Sequence, residues 1–551
     1  MFFTNSYFVE DWLNHLWFMW HQSITIRENH LPSLFLNYSQ RVFYPHYAFY
    51  GGTLYALVGT LSLLLGNAPM ETYILTYLLG FAASYGGWYW IARTCGLGRW
   101  QAHAPGLMFI TSAYYLTLIY GRGDWPEFLG VSMIPFMIAA VLSIIRADRL
   151  RLWPAVALTG SSIVFFGSHN LTIIWGSTLL ALVGLAIIVC VPEARRALTW
   201  RRVIHVAGLI VPAALVSAWF LLPTAAYESH TLIGSSYPSW RISVMQTMDI
   251  VSAKQLFSFS HAAKKSDFVV SLPILVIAWV LVSMGIFLLT GRRGMWMRIL
   301  MVVSGLTVLI TVVMTHAGLV LALPRPYATL QFTYRLESYV LLGLSGAVLA
   351  VLILAQGSTR RVGLWAWVLA PILAVSMIGA IQQANTYPHL EGRSAVFRYL
   401  KFPTNHGEIF PDFLDVYQPR AGDRLENPAE VYFSPSEIHG DHISGTVHMP
   451  PGQLVHTNIG GGPELVHVTG ARIVGIDTEG NDMLEVGSTA VSAQTATRSD
   501  ASVPTKTIAV SRASSSPVVV GRLLSVGAVI VLVLELVVFV VYRLRHPSKK
   551  A

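Results

Sequence analysis

Residues 331–361, QFTYRLESYVLLGLSGAVLAVLILAQGSTRR, decide the fold. A polar and aromatic opening, Gln331 to Glu337, gives way to Ser338–Gln356, which contains no charge, and then to the pair Arg360 and Arg361. A helix needs about 20 apolar residues to cross a bilayer core of ~30 Å. Arginines just beyond such a run mark its cytoplasmic end. The same pattern gives eleven expected spans, near 73–92, 104–120, 128–146, 153–168, 171–191, 203–223, 269–290, 299–316, 338–356, 364–382 and 521–542.

Composition agrees. Of 551 residues, 54% are hydrophobic and 12% charged, against about 25% charged in a soluble domain. This is a polytopic α-helical membrane protein, and soluble enzyme folds are excluded. Cys95 and Cys190 both lie beside arginines at cytoplasmic helix ends, so the sequence offers no disulfide framework and no cysteine metal site. The net charge of +9 is unevenly spread. Eighteen of the 37 Lys and Arg fall at Arg93/Arg99, Arg146/Arg149/Arg151, Arg195/Arg196/Arg201/Arg202, Arg292/Arg293/Arg298, Arg360/Arg361 and Arg543/Arg545/Lys549/Lys550. These stretches contain two acids, Asp148 and Glu193, and carry +16, leaving −7 for the rest. That asymmetry sets orientation in a bacterial cytoplasmic membrane, and no nucleic-acid partner is expected.

With the basic segments inside, 121–127, 168–170, 224–268, 317–337, 383–520 and the first 72 residues lie outside. Tyr47–Gly66 is apolar, but counting it as a span breaks the parity. It reads as an interfacial or re-entrant helix. An outer amino terminus without an export signal points to one further helix upstream, twelve spans in all. The chain divides into 1–72 (acidic loop and interfacial helices), 73–382 (membrane core), 383–520 (extracytoplasmic β-rich domain) and 521–551 (anchor and basic tail). Strands are expected at Glu430–Phe433, Gln453–Thr457, Leu465–Val468 and Arg472–Ile476, with Ser488–Ser516 part strand and part linker.

Four outer segments could carry chemistry. Glu10-Asp11-Trp12-Leu13-Asn14-His15 puts Asp11 and His15 on one helix face, where a carboxylate orients an imidazole or shares a metal with it; a solvated helix start is the plain alternative. Arg122-Gly123-Asp124-Trp125-Pro126-Glu127 is a tight turn into a helix, with acids at its N-terminus; it also reads as a self-satisfied salt-bridged turn. His169 sits in the hairpin Gly167–Asn170. Arg325, Arg335 and Glu337 precede a re-entering helix, where arginines grip phosphate or lipid headgroups. The spans are nearly free of ionisable groups apart from Glu535, which argues against an ion-coupled transporter. With no nucleotide-binding motif, an outer-face reaction needs a donor that arrives activated.

The acidic first loop, Phe43-Tyr44-Pro45-His46 leading to an interfacial helix ending Leu64-Leu65-Gly66, and the next helix ending Ala92-Arg93-Thr94-Cys95 are similar to the GT-C superfamily of polyprenyl-phosphate-sugar-dependent glycosyltransferases. Asp11-Trp12-x-x-His15, Arg122-Gly-Asp-x-x-Glu127, His169 and Leu330–Arg335 resemble its YfhO-like bacterial branch. The resemblance covers nearly the whole chain through short motifs, and the superfamily's first helix is absent from it. It implies an inverting transfer of sugar from a polyprenyl-phosphate donor to a cell-envelope glycan or glycolipid, among membrane lipids. Asp11 is then the general base, and Arg335, Arg325 and Arg122 face the donor phosphate. Glu10, His15, Asp124, Glu127, His169 and Glu337 line the cleft, a divalent cation being used by some members only. The competing expectation is a non-catalytic scaffold or lipid-glycan binding protein of the same fold.

Overall fold

The computed structural model describes residues 6–7, 11–36, 43–147, 149–228, 250–258, 269–328, 330, 332–356, 365–386, 391–392, 434–439, 442–448, 454–476, 482–485 and 505–545. Glu10, the Glu430–Phe433 strand, Arg360, Arg361, residues 488–504 and the 546–551 tail lie outside the described residues.

Each of the eleven apolar runs forms helix, but not each forms a full span. Among the described residues six helices are long and apolar enough to cross a membrane: Trp125–Arg146, Asn170–Cys190, Met295–Thr315, Thr333–Gln356, Trp365–Ala384 and Ser516–Val541. A seventh is gained if Trp200–Leu215 and Ala218–Tyr227, bent by 68°, count together. The expected span 104–120 is two short helices, Ala104–Ile110 and Ala113–Tyr120. Between them Thr111 and Ser112 turn their hydroxyls back onto the carbonyls of Leu107 and Phe109, and Ser112 takes an extended backbone. Such back-bonding competes with the helical ladder. The runs 153–168 and 269–290 give helices of 16 residues each. In the Tyr47–Gly66 run the main helix, Gly52–Leu64, has 13 residues, short of what a crossing needs.

Close packing is set by small residues. Pro69–Thr94 lies against Trp125–Arg146 through Gly80 and Gly87, where an added Cβ would come within 2.4 Å of Phe128 and 2.5 Å of the Phe136 nitrogen. Small residues permit this approach where lipid supplies no hydrophobic drive between helices. The largest buried side chains, among them Trp17, Trp125, Tyr44, Tyr47, Tyr55 and Tyr73, all come from the first quarter of the chain.

The carboxyl-terminal region is β-rich and not closed into a barrel. One four-stranded antiparallel sheet runs in the order Ser434–His439, His442–His448, Thr505–Arg512, Val466–Thr469. A three-stranded sheet sets Asp482–Glu485 between Leu454–His456 and Arg472–Ile476. Three of the four expected strands are therefore found, and Thr505–Arg512 is the strand part of the Ser488–Ser516 stretch. Gly461 lies against the Phe43 carbonyl and the Phe35 ring, so the β-rich region meets the amino-terminal segment.

Ser516–Arg545 packs against both arms of the bent pair Trp200–Leu215 and Ala218–Tyr227. The Trp219 N–H donates to Ser525 Oγ at 2.9 Å, and the Ser525 hydroxyl donates to the Leu215 carbonyl at 3.0 Å. One side chain thus satisfies two backbone groups that the break releases, which a membrane interior requires. Glu535, on the same helix, is exposed rather than packed against another helix. A Cβ on Gly521 would lie 2.5 Å from the Ala218 carbonyl oxygen, whereas one on Gly527 would meet nothing within 4 Å. Gly521→Ala is therefore expected to lower stability by about 1–3 kcal/mol through overpacking. Gly527→Ala should leave it unchanged or raised by up to about 1 kcal/mol through helix propensity. Thermal unfolding of the two variants in detergent separates them.

Candidate active site

The site begins with a turn. The Ala113–Tyr120 helix ends as Thr117's carbonyl accepts from both Gly121 N (3.0 Å) and Arg122 N (2.8 Å). Gly123 follows at φ +65°, and its Cα side faces Trp12 so closely that a Cβ would sit 2.8 Å from the Trp12 nitrogen. Only glycine meets both demands. Asp124 then caps the Trp125–Arg146 helix, its Oδ1 accepting from Glu127 N at 3.3 Å, with proline in the first turn.

That turn delivers three charges to one buried point, and Arg335 arrives from the Thr333–Leu336 turn. Arg122 reaches Asp124 (Nη2–Oδ2, 3.1 Å) and Glu127 (Nη1–Oε2, 3.4 Å). Arg335 reaches the same two acids, Asp124 at 3.6 Å and Glu127 at 3.5 Å. Tyr114 donates to the other Glu127 oxygen at 3.0 Å. The Phe332 ring lies 5.6 Å from the Arg122 guanidinium carbon and 5.5 Å from that of Arg335, within cation–π range of both. None of the four charged residues is more than 8% exposed. Two cations and two anions balance, which burial demands. Burial alone would raise the Asp124 pKa; Arg122, with His169 and Arg335, outweighs it and holds the carboxyl well below the usual range.

His169 completes the cluster. An Arg335 N–H points to His169 Nε2 at 3.4 Å, and His169 Nδ1 is 3.1 Å from Thr172 Oγ1. A guanidinium only donates, so Nε2 accepts and the proton sits on Nδ1, facing the threonine. Burial and then the Arg335 charge push this imidazole down to about 3, so it is neutral. His15 pairs with the Tyr55 hydroxyl at 2.6 Å, and burial lowers it to about 4. Tyr50 stands between the two, stacked on His15 at 5.9 Å and edge-on to His169 at 5.4 Å.

Asp11 joins from the first helix, Trp12–Asn29, which it precedes as N-cap. Its N–H donates to the Arg122 carbonyl at 3.0 Å, and its carbonyl accepts from His15 N at 3.1 Å. Its half-buried side chain makes no capping hydrogen bond to that helix. Asp11, His15, Arg122, Asp124, Glu127, His169 and Arg335, expected as site residues from scattered segments, are therefore neighbours. Of the other expected residues, Glu10 lies outside the described residues, and Glu337 and Arg325 are not placed in the cluster. Glu337 is fully buried with neither carboxylate oxygen hydrogen-bonded among the described residues, and it is not a partner of the cluster. Arg325 opens the Arg325–Ala328 helix, its side chain lying outside what is described. Tyr114, Tyr50 and Thr172 are contributors the sequence did not mark, since a hydroxyl inside an apolar run carries no local signal. No group of three or more His, Cys, Asp or Glu among the described residues could hold a metal ion.

No protein-family profile and no curated protein matches the chain. Among solved structures it is similar to the arabinofuranosyltransferase AftD from Mycobacteria, at 16% identity and a TM-score of 0.39, over 70% of this chain and 27% of that one. It is also similar to the oligosaccharyltransferase of Archaeoglobus fulgidus tethered to an acceptor peptide, at 12% identity and a TM-score of 0.41, over 78% of this chain and 57% of that one. A further structure of the latter enzyme, a complex with Zn and sulfate, aligns at 11% identity and a TM-score of 0.40, over 77% of this chain and 56% of that one. The chain thus spans between about a quarter and three-fifths of the length of these proteins.

Two outcomes follow from the geometry. Arg122→Gln leaves Asp124 and Glu127 sharing one arginine, and stability should fall by about 3–5 kcal/mol, the loss seen when one partner of a buried pair is removed. His15 and His169 are held neutral when folded but take up protons near pH 6.5 when unfolded. The unfolded state therefore binds more protons below that pH, and stability falls as pH drops from 7 toward 4. The slope approaches about 1.4 kcal/mol per pH unit for each histidine. Unfolding midpoints measured across pH 5–8 in detergent would test the sign.

Proposed function

We infer that this chain is a membrane glycosyltransferase of the GT-C type, transferring a sugar from a polyprenyl-phosphate donor on the extracytoplasmic face to an envelope glycan or glycolipid. One observation supports the reading: the Asp11 N–H donates to the Arg122 carbonyl, which ties the helix that Asp11 opens to the turn whose arginine shares Asp124 with Arg335. A carboxylate next to fixed cations is the pairing this transfer needs. Asp11 takes the proton of the acceptor hydroxyl as its oxygen attacks the anomeric carbon. The bond from that carbon to the phosphate oxygen breaks with inversion, and the electron pair leaves on the phosphate. Arg335 and Arg122, with Arg325 as a further candidate, oppose that growing charge. His15, Asp124, Glu127 and His169 shape the cleft and hold the arginines. The YfhO-like branch, and Glu10 as a second acid, rest on the sequence motifs alone. No step is assigned to a metal.

The alternative is a non-catalytic scaffold or lipid-glycan binding protein. It is favoured by one specific feature, that both arginines already have carboxylate partners. Asp11→Asn decides between them. Membranes containing equal amounts of parent and variant are offered labelled polyprenyl-phosphate sugars. The enzyme reading expects transfer by the parent and a loss of at least about 100-fold in the variant, the scale of a general base. Equal donor binding by both forms, with transfer by neither, rejects it.

A further inference from the structure

A cavity of about 840 Å³ lies between the helices Pro69–Thr94, Trp125–Arg146, Asn170–Cys190, Pro192–Ala197, Trp200–Leu215, Met295–Thr315 and Glu337–Gln356. Its volume is in the range of small-molecule sites, and it is a partly open groove rather than an enclosed chamber. Its wall is almost wholly apolar, and among the described residues Arg146 and Glu193 are the charged ones lining it. Both stand at one end, where Arg146 closes its helix and Glu193 belongs to the short Pro192–Ala197 helix. That helix also carries the exposed Arg195 and Arg196, and Arg298 pairs with Glu193 at 3.5 Å. Four arginines and one acid thus gather at the end that the charge asymmetry assigns to the cytoplasm. At the other end Tyr339 lines the cavity and donates its hydroxyl to the Thr172 carbonyl at 3.1 Å. Thr172 is also the partner of His169, which contacts Arg335, so this end lies toward the charged cluster.

We propose that the cavity is a binding site for one anionic glycerophospholipid of the cytoplasmic leaflet, its acyl chains inside and its phosphate among Arg146, Arg298, Arg195 and Arg196. Water is a poor filler, because a space lined by aliphatic groups gives it no partners. A hydrocarbon chain restores the contacts that an empty wall forfeits. The charge chooses the headgroup: basic pockets between helices on the cytoplasmic side favour anionic lipids. The site is independent of the sugar-transfer reading. A prenyl donor would carry its phosphate to the Arg122–Arg335 cluster, toward the Tyr339 end.

The test is native mass spectrometry of the full chain purified in mild detergent, with lipid extraction in parallel. The parent is expected to retain one phospholipid per chain, enriched in phosphatidylglycerol over the host membrane. After delipidation it should rebind dioleoyl phosphatidylglycerol about tenfold more tightly than dioleoyl phosphatidylcholine. Gly184 lines the cavity, and a Cβ there meets nothing within 4 Å, so Gly184→Phe should fill the space and cut retention about tenfold. Gly285→Phe, equally unobstructed but away from the cavity, should retain lipid as the parent does. Arg298→Gln should reduce the preference for the anionic lipid while leaving binding. Equal retention by Gly184→Phe and the parent overturns the proposal. So does failure of the parent to bind dioleoyl phosphatidylglycerol, equal affinity for the two lipids, or a polyprenyl phosphate as the retained species.

Discussion

Four charges that cannot be left alone in an apolar interior organise the helices around them. Arg122, Asp124, Glu127 and Arg335 are each almost fully buried, and each is tolerable only because the others are there. Removing any one of the four side chains leaves the other three with unbalanced charge. The cluster therefore ties the turn at Gly123 to the start of the Glu337–Gln356 helix, across more than 200 residues of chain. His169 and Thr172 attach a third helix through the Arg335 contact. Asp11 and Trp12 attach the first helix through the Arg122 carbonyl and the Gly123 surface. Remove the charges and these segments lose their common reference point.

Much of this was legible from residue types, for physical reasons. Long apolar runs ending in arginine have one good explanation, and helices do occupy all eleven. The Asp124 cap and the proline in the first turn were readable because capping chemistry is local. The break within 104–120 was not, since Thr111 and Ser112 are ordinary inside membrane helices and the outcome depends on which carbonyl each hydroxyl finds. The segment after Asp11 reads as a helix, with a solvated start as the plain alternative, and it is an 18-residue helix with Leu16 and Met19 completely buried. Its environment comes from the Gly52–Leu64 helix and the Gly123 turn, which no local pattern reveals. Glu337 shows the opposite failure. Its place near Arg335 in sequence suggests a shared role, but two residues' step around a helix turns it by about 200°, and it is not a partner of the cluster.

The broken span shows the same logic without charge. A 68° bend inside a membrane exposes backbone groups that lipid cannot satisfy. Ser525 meets that need from the last helix, and the absence of a side chain on Gly521 brings that helix near enough to do so. The early aromatic core, the charged turn and the final anchor are thus each held by a polar requirement met from a distant part of the sequence. The fold is specified less by apolar packing, which lipid could equally provide, than by the few polar groups that have one way to be satisfied.

Distances within the cluster bear on what it does. Charge-assisted N–H···O contacts are strongest at about 2.7–2.9 Å. Arg122–Asp124 at 3.1 Å approaches this, while the remaining three ion pairs stretch to 3.4–3.6 Å. The looser contacts involve Arg335 and Glu127, and Arg335 is also the residue that touches His169. Under the sugar-transfer reading, a donor phosphate therefore enters by exchanging the weaker Arg335 contacts for its own oxygens, leaving Arg122 anchored on Asp124. The tight pair keeps the turn, and with it Asp11, in position while the loose pair yields. A cluster with four equally short contacts would be a better strut and a worse phosphate site, and the inequality of these distances is the feature by which the two roles differ.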